Sequence, residues 1–290
     1  WSSDVCSSDL FAIRLKQLKP DIRVCVLEKA STIGAHILSG AVIEPGPLDA
    51  LLPDWRKNPP PVCVPAGVDE FWWLRGPDKA TKLPTPPQMH NAGNFIVSLG
   101  ALCAWLAPQA EALGVEIYPG FAAAETLIDP ETKAVIGVRI GDMGIARDGS
   151  HKPTYTQGID IKAPLTVFAE GARGHLTKQL VKRYGLDAQS DPQVYGIGIK
   201  ELWQLAPGKG TPGKIVHTMG WPQDNATYGG SFIYHLANDQ LAIGFVSGLD
   251  YKDPLFQPYE AFQQLKHHAM VKPLLEGGKI LSRSEEHTSE

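Results

Sequence analysis

The sequence predicts an α/β fold with mixed α+β character, and three observations carry the prediction. Helix-patterned and strand-patterned segments alternate from Phe11 onward. The strand segments are short apolar runs such as IRVCVLE and LTVFAEG, the pattern of strands covered on both faces. Two of these runs end in an acidic residue, at Glu28 and Glu170, and continue through small residues towards the next element. With 290 residues, 43% hydrophobic and 20% charged, the chain can build one large domain or two interleaved ones.

Composition removes several classes of function. A net charge of −4, a pI near 6.2 and the lack of a Lys/Arg run provide no field for nucleic acid. Cys6, Cys25, Cys63 and Cys103 are far apart, with no CxxC pair, which argues against a zinc site, an iron–sulfur site or a disulfide framework within this chain. No apolar run reaches the roughly 18 residues that span a bilayer, so any membrane contact is expected to be peripheral.

Taken in order, the segments justify that fold. The ends WSSDVCSSDL (1–10) and SRSEEHTSE (282–290) are Ser-rich and acidic without periodicity, and are read as a foreign leader and tail. FAIRLKQLK sets Phe11, Leu15 and Leu18 at helical spacing, and the strand IRVCVLE follows Pro20. In a dinucleotide-binding fold the strand after the first helix ends in an acid that accepts ribose hydroxyls, and Glu28 stands at that place. An ordinary strand terminus reads the same way, and the glycine-rich turn, expected near Ser3 to Ser8, is missing. Next comes IGAHILSGAVIEP, a loop of small and apolar residues. GPLDALLPDW then sets Leu48, Leu51, Leu52 and Trp55 at helical spacing, which suits a membrane interface or an amphipathic core turn. FWWL lies among Pro-rich loops and short strands, with its two Trp on opposite faces if extended.

Further along, LGALCAWLAPQAEALG is a long amphipathic helix interrupted at Pro108, and the strand VEIYPG follows it. AVIGVRI and LTVFAEG are strands, and the second opens through Gly171 and Gly174 into the helix LTKQLVKRYG. A glycine-bracketed turn suits a backbone passing close to a ligand, or equally a tight strand-to-helix turn. In TYGGSFIYHL a strand from Phe232 to Leu236 is entered through Gly229 and Gly230, where a flat ring could lie on the backbone; a bulge reads the same way. Leu241 to Leu249 alternates as a further strand. His267 and His268 fall on a helix with at least one exposed, and no metal site is expected there.

The succession of acidic strand end, long helix, GVEIYPG strand and FAEG turn resembles the glutathione-reductase-like flavoproteins. EKASTIGAHILSGAVIEPGPLDALLPDW, NAGNFIVSLGALCAWLAPQAEALGVEIYPG, VFAEGARGHLTKQL, YGIGIKELW and TYGGSFIYHL together resemble the electron-transfer flavoprotein–ubiquinone oxidoreductase family, from Phe11 to about Leu281. The resemblance implies a glutathione-reductase-like FAD-binding domain (11–60 and 90–190, incomplete) interleaved with a mixed-sheet quinone-binding domain (61–89 and 191–281). It implies FAD and a [4Fe-4S] cluster as cofactors, with electron-transfer flavoprotein, ubiquinone and a membrane surface as partners. It further implies peripheral attachment to the bacterial cytoplasmic membrane or the matrix face of the mitochondrial inner membrane. The family's GxGxxG loop has no counterpart in this chain and its cluster cysteines belong to a C-terminal region this chain does not include, so the chain reads as an internal fragment with weak FAD affinity.

The expected cofactor-binding residues are Glu28, Lys29, Gly34, Ser39, Gly40, Glu170 and Gly171. Gly229 and Gly230 are expected at the quinone, and Ile37, Leu38, Leu48, Leu51 and Leu52 at the membrane. A related reductase or hydroxylase using the same FAD half, or a fragment without cofactor, remain the alternatives. Flavin and cluster would carry the electrons, so no catalytic side chain is named.

Overall fold

A computed structural model describes residues 4–38, 40–171 and 173–289. The chain divides into two compact units. Residues 37–105 and 192–289 form the larger and residues 4–36 and 106–191 the smaller, the division at 105/106 falling within the Leu99–Ala112 helix.

The larger unit is built on a seven-stranded mixed sheet. Its order is Lys279–Ser289, Tyr195–Gln204, Gln240–Gly248, Gly229–His235, Lys214–Gly220, Val68–Leu74 and Ala80–Leu83. All neighbours are antiparallel except Lys214–Gly220 and Val68–Leu74, which run parallel in the register Val216 to Glu70. Because side chains alternate along a strand, each central strand feeds two cores. Val216, Ile233, Ile243 and Phe245 pack with Phe262 and Leu265 of the Pro258–His267 helix. Ile215, Phe232, Tyr234 and Ala242 pack with Ile96. Ile96 lies in a small sheet of Gly40–Ile43, Phe95–Ser98 and Cys63–Pro65. Burial on both faces explains why SFIYH and LAIGF are nearly continuous apolar runs.

In the smaller unit Val24–Glu28 pairs in parallel with Val115–Pro119. A three-stranded antiparallel sheet joins Asp160–Lys162, Val135–Ile140 and Ala123–Ile128, and Met143–Ile145 pairs with His151–Thr156. The helix expected from Phe11 begins at Asp4. Its buried face is also different: Asp9, Ala12, Ile13 and Lys16 are buried, whereas Phe11 and Leu18 are 43% and 61% exposed. Lys16 serves this face because Nζ donates to the carbonyls of Pro20 (2.5 Å) and Ile22 (3.1 Å), which ties the helix to the following turn.

Four other segments differ from their sequence reading. LTVFAEG forms no strand, and Leu165 and Val167 are 73% and 53% exposed rather than covered on both faces. The tail does not stand apart, since Lys279–Ser289 pairs with Tyr195–Gln204 as far as Ser289. An edge strand needs only backbone donors and acceptors, so residues without apolar periodicity can occupy it. FWWL belongs to a full sheet strand, with Trp72 and Leu74 on the helix-covered face. Trp55 is buried, donating Nε1–H to Asp49 Oδ1 (2.6 Å) and meeting the Phe95 ring edge-on at 5.2 Å.

One buried ion pair anchors the helix to the sheet. Glu201, with no exposed side-chain surface, accepts Lys266 Nζ at 3.0 and 2.9 Å and Trp203 Nε1–H at 2.8 Å. Removing one partner leaves an uncompensated buried charge, which costs about 3–5 kcal/mol, whereas replacing both with apolar groups is far milder. Urea denaturation of Lys266→Met should therefore show a loss of about 3 kcal/mol, largely recovered in Glu201→Leu/Lys266→Met. A single variant as stable as the parent would mean the pair contributes nothing.

Candidate functional site

Of the residues expected at a cofactor, Glu28, Lys29, Gly34, Glu170 and Gly171 belong to the smaller unit. Gly40, Gly229 and Gly230, with Ile37, Leu38, Leu48, Leu51 and Leu52, belong to the larger. Ser39 lies outside the described residues.

Glu28 closes the Val24–Glu28 strand, and its Oε1 accepts the N–H of Ala30 at 2.6 Å. The turn is fixed from the neighbouring strand's end: Phe121 N–H donates to the Glu28 carbonyl (3.0 Å) and Gly120 N–H to that of Ala30 (2.7 Å). The second carboxylate oxygen takes no hydrogen bond from the described residues and is available to a hydroxyl. Lys29 is exposed, and Gly34 has φ +79°, a left-handed turn suited to glycine.

The residue missed by sequence reasoning is Asp9, set aside with the leader. It is only 3% exposed, and burial together with the charge of Glu28 pushes its pKa up to about 6. A polar residue on the buried face of the first helix, three residues before Ala12, was the available signal.

Glu170 has a structural task. Its carboxylate receives the backbone N–H groups of Leu176 (3.3 Å) and Thr177 (2.7 Å) and the Thr177 hydroxyl (2.7 Å), capping the His175–Tyr184 helix. Gly174 allows this, because a Cβ there would lie 2.4 Å from Glu170 Cβ. The negative charge an anion would bring to this helix start is therefore supplied by the chain. Gly171, at φ +78°, turns the backbone next to it.

Gly229 and Gly230 open their strand at φ +141° and +153°. A Cβ on Gly229 would meet the Val246 carbonyl oxygen at 2.1 Å, and one on Gly230 the Thr218 carbonyl oxygen at 2.1 Å. The space beside both glycines is thus occupied by the neighbouring strands, and the sheet itself requires glycine here. Beside them Thr218 and Ser231 share a buried hydroxyl–hydroxyl hydrogen bond of 2.5 Å, and Tyr228 at the strand mouth is 62% exposed. Gly40 is likewise demanded by packing, since its Cβ would lie 2.6 Å from that of Ala242. Among the apolar positions Leu48 is buried, so it points inward, while Ile37, Leu38, Leu51 and Leu52 are half-buried.

Residues 195–286, which hold four strands of the large sheet and most of a fifth, match the family described as ETF-QO, ubiquinone-binding. Over 276 residues the chain is 52% identical to the electron transfer flavoprotein-ubiquinone oxidoreductase of Pseudomonas aeruginosa, covering 92% of this chain and 50% of that protein. The chain is therefore similar to an internal part of the electron transfer flavoprotein-ubiquinone oxidoreductases, the match to the ubiquinone-binding family falling on 195–286. The mitochondrial oxidoreductase of Sus scrofa is 49% identical over 281 residues, covering 93% of this chain and 45% of that protein. The chain thus spans about half the length of the curated oxidoreductases it matches.

Solved structures extend the fold beyond the oxidoreductase family. A geranylgeranyl bacteriochlorophyll reductase-like protein from Thermoplasma acidophilum superposes with a TM-score of 0.66 at 14% identity, over 98% of this chain and 64% of that one. Aklavinone-11 hydroxylase, solved with FAD and aklavinone, gives 0.61 at 13% identity, over 99% and 52%. At these identities the likeness is one of fold, the mixed α/β architecture of FAD-dependent enzymes.

Asp9 makes the stability of the smaller unit pH-dependent. The folded state keeps this proton up to about pH 6, whereas the unfolded chain releases it near 3.8, so folding binds protons between these values. Stability from this group is therefore greatest below pH 3.8 and falls as pH rises to about 6, by roughly 3 kcal/mol for a shift of about two units. Denaturation of Asp9→Asn at pH 4 and pH 7 should lack this loss. Identical pH profiles for parent and variant would contradict the buried carboxyl.

Proposed function

We propose that this chain is the flavin- and quinone-binding part of an oxidoreductase that takes electrons from reduced electron-transfer flavoprotein and delivers them to ubiquinone at a membrane surface. The observation that carries this reading is the match to the ubiquinone-binding family over 195–286, the region containing Gly229 and Gly230. FAD, when bound, supplies the exchange of electrons one or two at a time. The residues present fit its ribose end, where one Glu28 oxygen takes no hydrogen bond from the described residues, and Gly34 and Gly171 let backbone approach it. They fit its diphosphate poorly: 3–8 contain no glycine and Asp9 adds a second acid near Glu28. In this reading Glu170 and Lys29 support the site, Glu170 by fixing the turn before Gly171. Residues 11–60 and 90–190 serve the flavin and 61–89 and 191–281 the quinone. The [4Fe-4S] cluster belongs to a part of the enzyme beyond this chain; among the described residues no group of three His, Cys, Asp or Glu could hold a metal.

Membrane contact is assigned to Ile37, Leu38, Leu51 and Leu52, four of the half-buried apolar side chains between 32 and 53. No described helix is long and apolar enough to cross a bilayer. The full-length enzyme should float with liposomes, and Leu51→Glu/Leu52→Glu should leave it in the dense fraction; unchanged flotation would assign the contact elsewhere.

The quinone assignment is tested at Tyr228 because it adjoins the glycine pair and is exposed. In the full-length enzyme Tyr228→Ala should raise KM for a short-chain ubiquinone about tenfold, roughly 1.4 kcal/mol of lost binding, with FAD content and melting temperature unchanged. An unaltered KM would remove the headgroup from this strand mouth.

A further inference from the structure

The helix-covered face of the large sheet contains a cavity of about 250 Å³ that the reading above leaves unused. His235, at the far end of the Gly229–His235 strand, lines it; at about 3.3 Å per residue it lies about 20 Å from the glycine pair. Its floor is apolar, formed by Val216 and Ile233 of the sheet and by Met270 and Leu274 from the segment after the Pro258–His267 helix.

The polar rim carries donors that its own acceptors do not use. His235 is 4% exposed, and its Nδ1 accepts the N–H of Thr211 at 3.0 Å. Burial, helped by the charge of Lys214 and opposed by that of Glu70, lowers its pKa to about 4. The neutral ring therefore keeps its proton on Nε2, and no acceptor meets that N–H among the described residues. Lys209 Nζ uses two of its three donors on the carbonyls of Pro273 (2.6 Å) and Glu276 (2.8 Å). The acid of the rim, Glu70, is already engaged by Trp72 Nε1 (3.0 Å), Lys82 Nζ (3.0 Å) and Lys214 Nζ (3.2 Å). With Lys209 and Lys214 against Glu70, the lining carries an excess positive charge. The Nε2–H is thus a donor left to whatever occupies the cavity, beside the third donor of Lys209.

We propose that this cavity binds a small organic carboxylate, its oxygens received by His235 Nε2–H and Lys209 Nζ and its apolar body resting on Val216, Ile233, Met270 and Leu274. An apolar cavity of about 150 Å³ holds benzene, so 250 Å³ suits a ligand of about eight to ten heavy atoms. The site is separate from the quinone reading and does not depend on it.

Ligand-observed NMR titration of the full-length protein with hexanoate and with hexanol tests this. Hexanoate should bind with Kd on the order of 1 mM or tighter, and hexanol at least about tenfold more weakly. Lys209→Met should weaken hexanoate at least about fivefold without affecting hexanol, and Met270→Trp, which fills the rim, should abolish both. Folding of each variant is checked by its melting temperature, and His235→Gln serves as the second donor test if Met270→Trp does not fold. Equal binding of acid and alcohol, hexanoate binding unchanged in both Lys209→Met and His235→Gln, or displacement of hexanoate by a short-chain ubiquinone would each overturn the proposal.

Discussion

The larger unit depends on the close approach of backbone to backbone at the start of the Gly229–His235 strand. Gly229 and Gly230 lie with neighbouring carbonyl oxygens where a Cβ would stand, and only glycine tolerates both that contact and those backbone angles. One strand further, the Phe232 ring covers Gly244, whose Cβ would lie 2.2 Å from Cε1. These absences of side chain let the central strands pack on both faces, and both cores of the unit grow from them. The glycines answer first to the sheet, and any ligand must meet them through backbone groups rather than through a vacant side-chain volume.

Several polar groups inside this unit are matched in pairs, although Gln223 Oε1, Gln263 Nε2 and His268 Nε2 are buried without a hydrogen-bond partner among the described residues. Glu201 is neutralised by Lys266, the Thr218 and Ser231 hydroxyls share a hydrogen bond, and His217 Nε2 lies 3.0 Å from the buried Tyr234 hydroxyl. Burial lowers the pKa of His217 against the charge of Asp69 and raises that of Tyr234, so both are neutral at physiological pH. His235 and His268 each accept a backbone N–H at Nδ1, but His268 Nε2 is sealed in the interior whereas His235 lines a cavity, and that is what marks His235 for a ligand.

Much of the architecture was legible where local pattern and packing agree. The strands near Phe232–Leu236 and Leu241–Leu249 were found within a few residues, at Gly229–His235 and Gln240–Gly248, because burial on both faces writes a continuous apolar run. The strand ending at Glu28 and the helix containing Pro108 were equally plain. Val68–Leu74 was obscured by its Pro-rich surroundings because its parallel partner, Lys214–Gly220, is far away in sequence. Lys279–Ser289 pairs through backbone, which composition does not report. At the candidate site the residue types were readable and their engagements were not: Glu170 caps a helix, Trp55 binds Asp49, and Asp9 sits beside Glu28.

The glycine pair is a requirement of the sheet, and function is laid over it. The most direct test is the melting temperature of Gly230→Ala in the full-length enzyme, read beside ubiquinone reduction. A methyl group facing the Thr218 carbonyl should lower the melting temperature by several degrees or more, with activity falling in proportion to folded protein. A variant that melts like the parent while losing quinone reduction would show instead that the glycine exists to make room for the quinone.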